Sequence, residues 1–163
     1  VGTADATHFS AVAGAGMVTL LPTDGARALL DRFKREWVSV ERHENTLPLI
    51  GVMRLVVLAE TDSRALETAE RAYAAWLAHM RLLWDQHGLN FSLGYSPEIG
   101  PMLEVGAAFA GTAAGLRSFV AQNVESIGAN YLTCDVAFGD MSFDEAMRTT
   151  ELMGKEVIPA FAE

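Results

Sequence analysis

Cysteine is almost absent from this chain. A single thiol, Cys134, excludes an internal disulfide framework and suits a reducing, cytoplasmic compartment. Positive charge is scarce too: 12 Lys and Arg stand against 21 Asp and Glu, a formal net charge of -9. Such a surface repels phosphate backbones, so nucleic acid is not an expected partner. No stretch approaches the ~18 uncharged apolar residues of a membrane span, and no membrane association is expected. The four histidines, His8, His43, His79 and His87, include no i, i+4 pair and no accompanying thiolate pair, so no metal site is expected. Gly14-Ala15-Gly16 precedes a strand, whereas a dinucleotide fingerprint follows one. Gly111-Thr112-Ala113-Ala114-Gly115 lacks the Lys-Ser/Thr of a P-loop, and no Gly-x-Ser-x-Gly is present. What remains is a chain of 163 residues, half apolar and one-fifth charged, the composition of one globular domain.

Its hydrophobic periods alternate. Residues 5–15 read as an Ala-rich helix closed by Gly16, and 17–21 as a short buried strand ended by Pro22. Thr23 or Asp24 can cap the next helix, whose apolar stripe is Ala26, Leu29, Leu30, Phe33, Trp37 and Val40. Residues 49–59 read as a second strand, apolar except at Arg54. Thr61-Asp62 then caps a long helix that runs to about His87 and is stopped by Gly88. One side of it carries Leu66, Ala69, Tyr73, Trp76, Leu77, Met80, Leu83 and Trp84. Leu116, Phe119, Val120, Val124 and Ile127 mark another helix before Gly128, and 130–138 reads as a third strand. Ser142 and Glu145 form a capping box. The last helix is expected to turn Phe143, Ala146, Met147, Thr150, Met153 and Val157 inward until Pro159.

The order α, β-α, β-α-α, β-α predicts an α/β protein with parallel strands and right-handed crossovers. Two architectures satisfy that, an open doubly wound sheet and a closed eight-stranded barrel. Three strands alone leave two open edges, which stable proteins avoid. The chain therefore reads as the back half of something larger. Residues 88–111 must also climb back toward the C-terminal strand ends, and 91–101 are expected to border a ligand mouth there.

The run Gly128-Ala129-Asn130-Tyr131-Leu132, Ala137-Phe138-Gly139-Asp140-Met141, Glu145-Ala146-Met147-Arg148, Glu151-Leu152 and Glu156-Val157-Ile158-Pro159-Ala160-Phe161 closely resembles the C-terminal end of luciferase-like flavin-dependent monooxygenases. The strand at 49–60 running into Thr61-Asp62 also looks like the seventh strand of that family. Asp135 in the last strand and Gly154 in the last helix depart from the pattern. The resemblance implies that residues 1–163 form the C-terminal half of a TIM (β/α)8 barrel, with the N-terminal half absent from this chain. It implies reduced FMN or a deazaflavin as cofactor, NAD(P)H as electron source, and a small organic substrate. Pairing with the missing half, or homo-oligomerisation, is expected, and the fragment alone is expected to be inactive.

For the cofactor, the resemblance implies a flavin phosphate at the turn Gly2, Thr3, Ala4, where a helix N-terminus offers free amides. Helix capping by Thr3 or Asp5 is the competing reading. Phe138 and Gly139 follow the last strand and are candidates for packing on the flavin ring, against a purely structural turn. No catalytic side chain is assigned. Arg54 is expected to pair with Asp135, the methionines to fill core, and Cys134 to be an inert thiol. Two rival functions stand beside the enzyme: a noncatalytic α/β fragment dimerising through open strand edges, and a small flavodoxin-like binding module.

Overall fold

The computed structural model describes residues 4–89 and 94–162, which form an α/β protein. Among them are six α-helices, α1 Ala4–Ala13, α2 Thr23–Ser39, α3 Asp62–Gln86, α4 Ile99–Glu104, α5 Ala113–Asn123 and α6 Phe143–Leu152. The four strands are β1 Met17–Thr19, β2 Ile50–Leu58, β3 Ala108–Gly111 and β4 Tyr131–Asp135. Two compact units result: residues 4–54, 105–107 and 119–134 in the first, the remainder in the second. No helix among the described residues is long and apolar enough to cross a membrane.

In the first unit, β1 runs parallel to the opening of β2, Met17 opposite Ile50 and Thr19 opposite Val52. Strand β4 also pairs with β2. Its register is set by Asn130, whose amide donates to the Ile50 carbonyl and whose Oδ1 accepts the Ile50 amide at 2.7 Å. Helix α2 buries Ala26, Leu29, Leu30, Phe33 and Trp37, the expected stripe, with the Phe33 and Trp37 rings 5.8 Å apart. Its cap is not the expected one: Pro22 takes that position, and the Thr23 amide donates to the Val105 carbonyl instead. Helix α1 also ends earlier than expected. Gly14, at φ +70°, turns the chain, and the Ala15 amide reaches back to the Ser10 carbonyl. Gly16 has another task, since a Cβ there would stand 2.2 Å from the Leu49 carbonyl oxygen.

In the second unit, β3 runs parallel to the rest of β2, Leu55 opposite Ala108 and Leu58 opposite Gly111. The sequence reading of three strands is thus corrected to four. The extra strand removes the topological difficulty, because the chain returns to the C-terminal strand ends through β3. The expectation that 91–101 borders a ligand mouth fares differently. Residues 91–93 lie outside the described residues. Of the rest, the Ser96 carbonyl accepts the Tyr73 hydroxyl at 2.7 Å, and Tyr95 meets Trp76 edge-on at 5.2 Å. That segment lies against the middle of α3, roughly 16 Å along the helix from its start at the strand ends.

Helix α3 begins as expected, with the Thr61 hydroxyl accepting the Arg64 amide. Helix α6 carries the complete capping box between Ser142 and Glu145. Its buried face is rotated from the expected one: Thr149 and Leu152 point inward, while Phe143 is 77% exposed. The cause is polar. The Thr149 hydroxyl is hydrogen-bonded to both the amide and the carbonyl of Leu58, occupying two backbone groups of β2.

Candidate functional site

Ala4 opens α1, whose first turn carries the exposed Asp5 carboxylate. Gly2 and Thr3 lie outside the described residues. Phe138 and Gly139 belong to the second unit, in the turn closed by the Met141 amide on the Phe138 carbonyl. Phe138 is buried, and Gly139 has φ +62°. A Cβ on Gly139 would stand 1.9 Å from the Ala72 carbonyl oxygen in α3. Close packing on that helix is therefore enough to require glycine here.

The second unit also holds a cleft of about 310 Å³ that sequence reading did not find. Its floor is the end of β2, Val57 to Glu60, and its walls are Arg64 and Thr68 of α3 with Asp144, Glu145 and Arg148 of α6. Arg71 pairs with Glu145, one of these lining residues. It donates through Nη2 to both Glu145 oxygens at 2.7 and 2.8 Å, and through Nη1 to the Asp140 carbonyl. Thr68 donates to the same Glu145 carboxylate, and Arg148 meets Glu60 at 2.6 Å. The Ser142 amide, then the Arg71 guanidinium, pull the Glu145 carboxyl down to about 2. The Glu60 carboxyl is also lowered, first by a hydrogen bond to its own backbone amide and then by Arg148. Both carboxylates are thus ionised at neutral pH and paired, which suits them to holding α3 and α6 in place rather than to moving protons. The only local sequence signal was the capping box; Arg71 and Glu145 lie 74 residues apart in the chain.

In the first unit, Arg54 is 1% exposed and donates to the Met53 carbonyl at 2.9 Å. Burial pushes the Cys134 thiol up to about 11, with the Arg54 charge opposing in part. At pH 8 such a thiol carries about a hundredfold less thiolate than a free cysteine. Cys134 is accordingly expected to react with iodoacetamide about a hundredfold more slowly than free cysteine; labelling at the free rate would contradict its burial. Among the described residues no group of three His, Cys, Asp or Glu side chains could hold a metal ion.

No known family model matches the chain. A curated protein of Sinorhizobium fredii, y4wF, is 27% identical over 155 residues, covering 94% of this chain and 45% of that protein. Among solved structures, the monooxygenase RslO1 of Streptomyces bottropensis superposes with a TM-score of 0.75 at 18% identity, over 99% of this chain and 46% of that one. The oxygenating constituent of 3,6-diketocamphane monooxygenase from Pseudomonas putida, a type II Baeyer–Villiger monooxygenase in complex with FMN, gives 0.65 at 13% identity, over 94% and 44%. The coenzyme F420-dependent tetrahydromethanopterin reductase of Methanopyrus kandleri gives 0.63 at 12%, over 99% and 50%. The fold is luciferase-like. The chain spans about half the length of the proteins it matches.

In parallel α/β folds, ligands gather outside the carboxyl ends of the strands. Glu60 and the Phe138-Gly139 turn both follow such strand ends, and so does the cleft floor.

Proposed function

We propose that this chain is the C-terminal half of a (β/α)8-barrel oxidoreductase that uses reduced FMN or a deazaflavin to act on a small organic substrate. The observation that carries the reading is the superposition of nearly the whole chain on about half of three proteins, one FMN-bound and one F420-dependent. The state of β4 supports it. Tyr131 is exposed and the other four residues of the strand are only half-buried, as suits a strand whose further neighbours belong to another part of a barrel.

The described residues fit such a cofactor in part. The opening amides of α1 at Ala4, with Gly2 and Thr3 before them, are the donors proposed for its phosphate. No basic side chain stands in that first turn, and Asp5 opposes an anion, so the contact proposed is backbone alone. Phe138 and Gly139 would form part of the wall near the ring, Gly139 being pressed on α3. When bound, the reduced flavin or deazaflavin supplies the electrons for hydride transfer or oxygen activation. This chain's own share is to position that group and exclude water. Its paired carboxylates at Glu60 and Glu145 stay ionised and hand no proton on. The groups that move protons and hold substrate are assigned to the N-terminal half, with NAD(P)H as electron source and a cytoplasmic location.

The test is a fluorescence titration with FMN and with F420. The 163-residue chain alone is expected to bind neither measurably and to show no NAD(P)H oxidation. Co-expression with the N-terminal half of the Sinorhizobium relative is expected to restore binding. Turnover by the chain alone, or no binding by the complemented protein, would overturn the reading.

A further inference from the structure

Three aromatic rings form a continuous row in the second unit. On α3 the Tyr73 and Trp76 rings stack, their centroids 5.6 Å and their planes 28° apart. Tyr95, from the segment laid against that helix, meets Trp76 edge-on at 5.2 Å. Both separations are those of rings in contact, across which an electron passes directly from one ring to the next. Indoles and phenols are also among the side chains most readily oxidised by one electron. The row stands beside the proposed site, because Ala72, next to Tyr73 in the chain, is the residue whose carbonyl faces Gly139.

The two phenols are not equivalent. A phenol gives up an electron readily only when its proton leaves with it. Tyr73 is 1% exposed, and its hydroxyl donates to the Ser96 carbonyl at 2.7 Å. An amide carbonyl accepts a hydrogen bond but is far too weak a base to take the proton. Burial pushes the same hydroxyl up to about 12, with Tyr95 adding to the shift. Tyr95 is only half-buried, which leaves water to take its proton. Tyr73 therefore serves as a stacking partner that spreads the positive charge of an oxidised Trp76, whereas Tyr95 is able to reduce it.

We propose that Trp76 and Tyr95 form a one-electron relay, which carries an oxidising equivalent from α3 to the half-buried Tyr95 phenol. A radical oxidant of the oxygen-derived class takes one electron from the Trp76 indole, which sheds its Nε1 proton to water. Tyr95 then returns one electron, its phenolic proton goes to water, and the indole recovers a proton. The net change is one oxidant reduced and one phenoxyl radical formed. A soluble thiol quenches that radical by donating a hydrogen atom. The source of the oxidant rests on the functional reading above, in which a reduced cofactor works near the Phe138-Gly139 turn. The relay itself rests on the ring geometry alone.

Pulse radiolysis of the 163-residue chain with azide radical, a one-electron oxidant of indoles, tests the relay, with circular dichroism confirming that each variant folds. Trp84→Phe removes the indole that is 40% exposed further along α3, and Trp37 is 3% exposed, so Trp76 becomes the indole the probe reaches. In that background the indolyl absorption is expected to decay into phenoxyl absorption at a rate independent of protein concentration. Adding Tyr95→Phe preserves the ring contact and is expected to abolish the conversion, as is adding Trp76→Phe. Adding Tyr73→Phe keeps the stack and is expected to leave the conversion in place. A conversion that survives Tyr95→Phe, one lost on Tyr73→Phe, or a rate that scales with protein concentration overturns the inference. The flavin titrations of the complemented protein test the functional reading separately, since the radiolysis uses the chain alone without cofactor.

Discussion

Gly139→Ala is expected to destabilise the protein by about 3 kcal/mol or more, among the larger effects of any single methyl group. Two costs combine. The residue sits at φ +62°, where a side chain costs roughly 1–2 kcal/mol. The new Cβ would also stand 1.9 Å from the Ala72 carbonyl oxygen and 3.0 Å from its Cα. Both atoms are backbone in the middle of a 25-residue helix, so neither can swing aside as a side-chain tip would. Relief requires the turn to move off α3, uncovering Phe138. Two other glycines separate the contributions. Gly88 has nearly the same torsion, φ +63°, but nothing within 4 Å, so Gly88→Ala should cost only about 1 kcal/mol. Gly154 has open space and no positive φ, and Gly154→Ala should stabilise by up to about 1 kcal/mol. Urea midpoints of the three variants give the comparison. If Gly139→Ala behaves like Gly88→Ala, the close approach to α3 is wrong. If it leaves stability intact and abolishes only flavin binding in the complemented protein, the glycine serves the cofactor and not the packing.

The same residues show which parts of the fold a sequence can carry. Thr61 and Ser142 were legible as caps because the bonds they make close within three residues, with little help from the rest of the chain. The stripe of α2 was legible because five buried positions repeat at helical spacing on a helix packed along its length. Strand β3 was not legible. Ala108-Phe109-Ala110-Gly111 has no β-branched residue and is too short to show a period, and only pairing with β2 makes it a strand. Helix α6 misled because Phe143 and Met147 are apolar and remain exposed, whereas Thr149 is polar and buried; two backbone bonds to Leu58 outweigh the hydrophobic pattern. Helix α3 misled in a related way, since its stripe is continuous in sequence although its cover is not. Of the candidate site, the Phe138-Gly139 turn was legible as a turn, but Ala72, which explains its glycine, lies 67 residues away. The cleft draws on three separate stretches, 57–60, 64–68 and 144–148, and its charges become informative only once α3 and α6 stand side by side.

Glu145→Gln is expected to destabilise the protein by about 1–2 kcal/mol at pH 7 and by almost nothing near pH 2. The folded carboxyl titrates at about 2 against an ordinary 4.5, held down first by the Ser142 amide and next by Arg71. A carboxyl depressed on folding stabilises the native state fully above its unfolded value, and loses that contribution as pH falls through the folded one. The wild type should therefore weaken from about pH 5 downward, and the variant should show a flatter acid limb. The full shift would correspond to about 3 kcal/mol. The side chain is about a third exposed (32%), and solvent screening reduces the expected value to the lower range. Glutamine isolates the charge, because its amide oxygen still accepts the Ser142 amide and keeps the capping box. Arg71→Met should lower stability comparably at pH 7, and the double variant should lose less than the sum of the two, since both remove one pair. Urea unfolding at pH 7 and pH 2.5 decides the matter. An equal loss at both pH values would assign Glu145 a packing role, and the ion pair with Arg71 would then not be what holds α6 against α3.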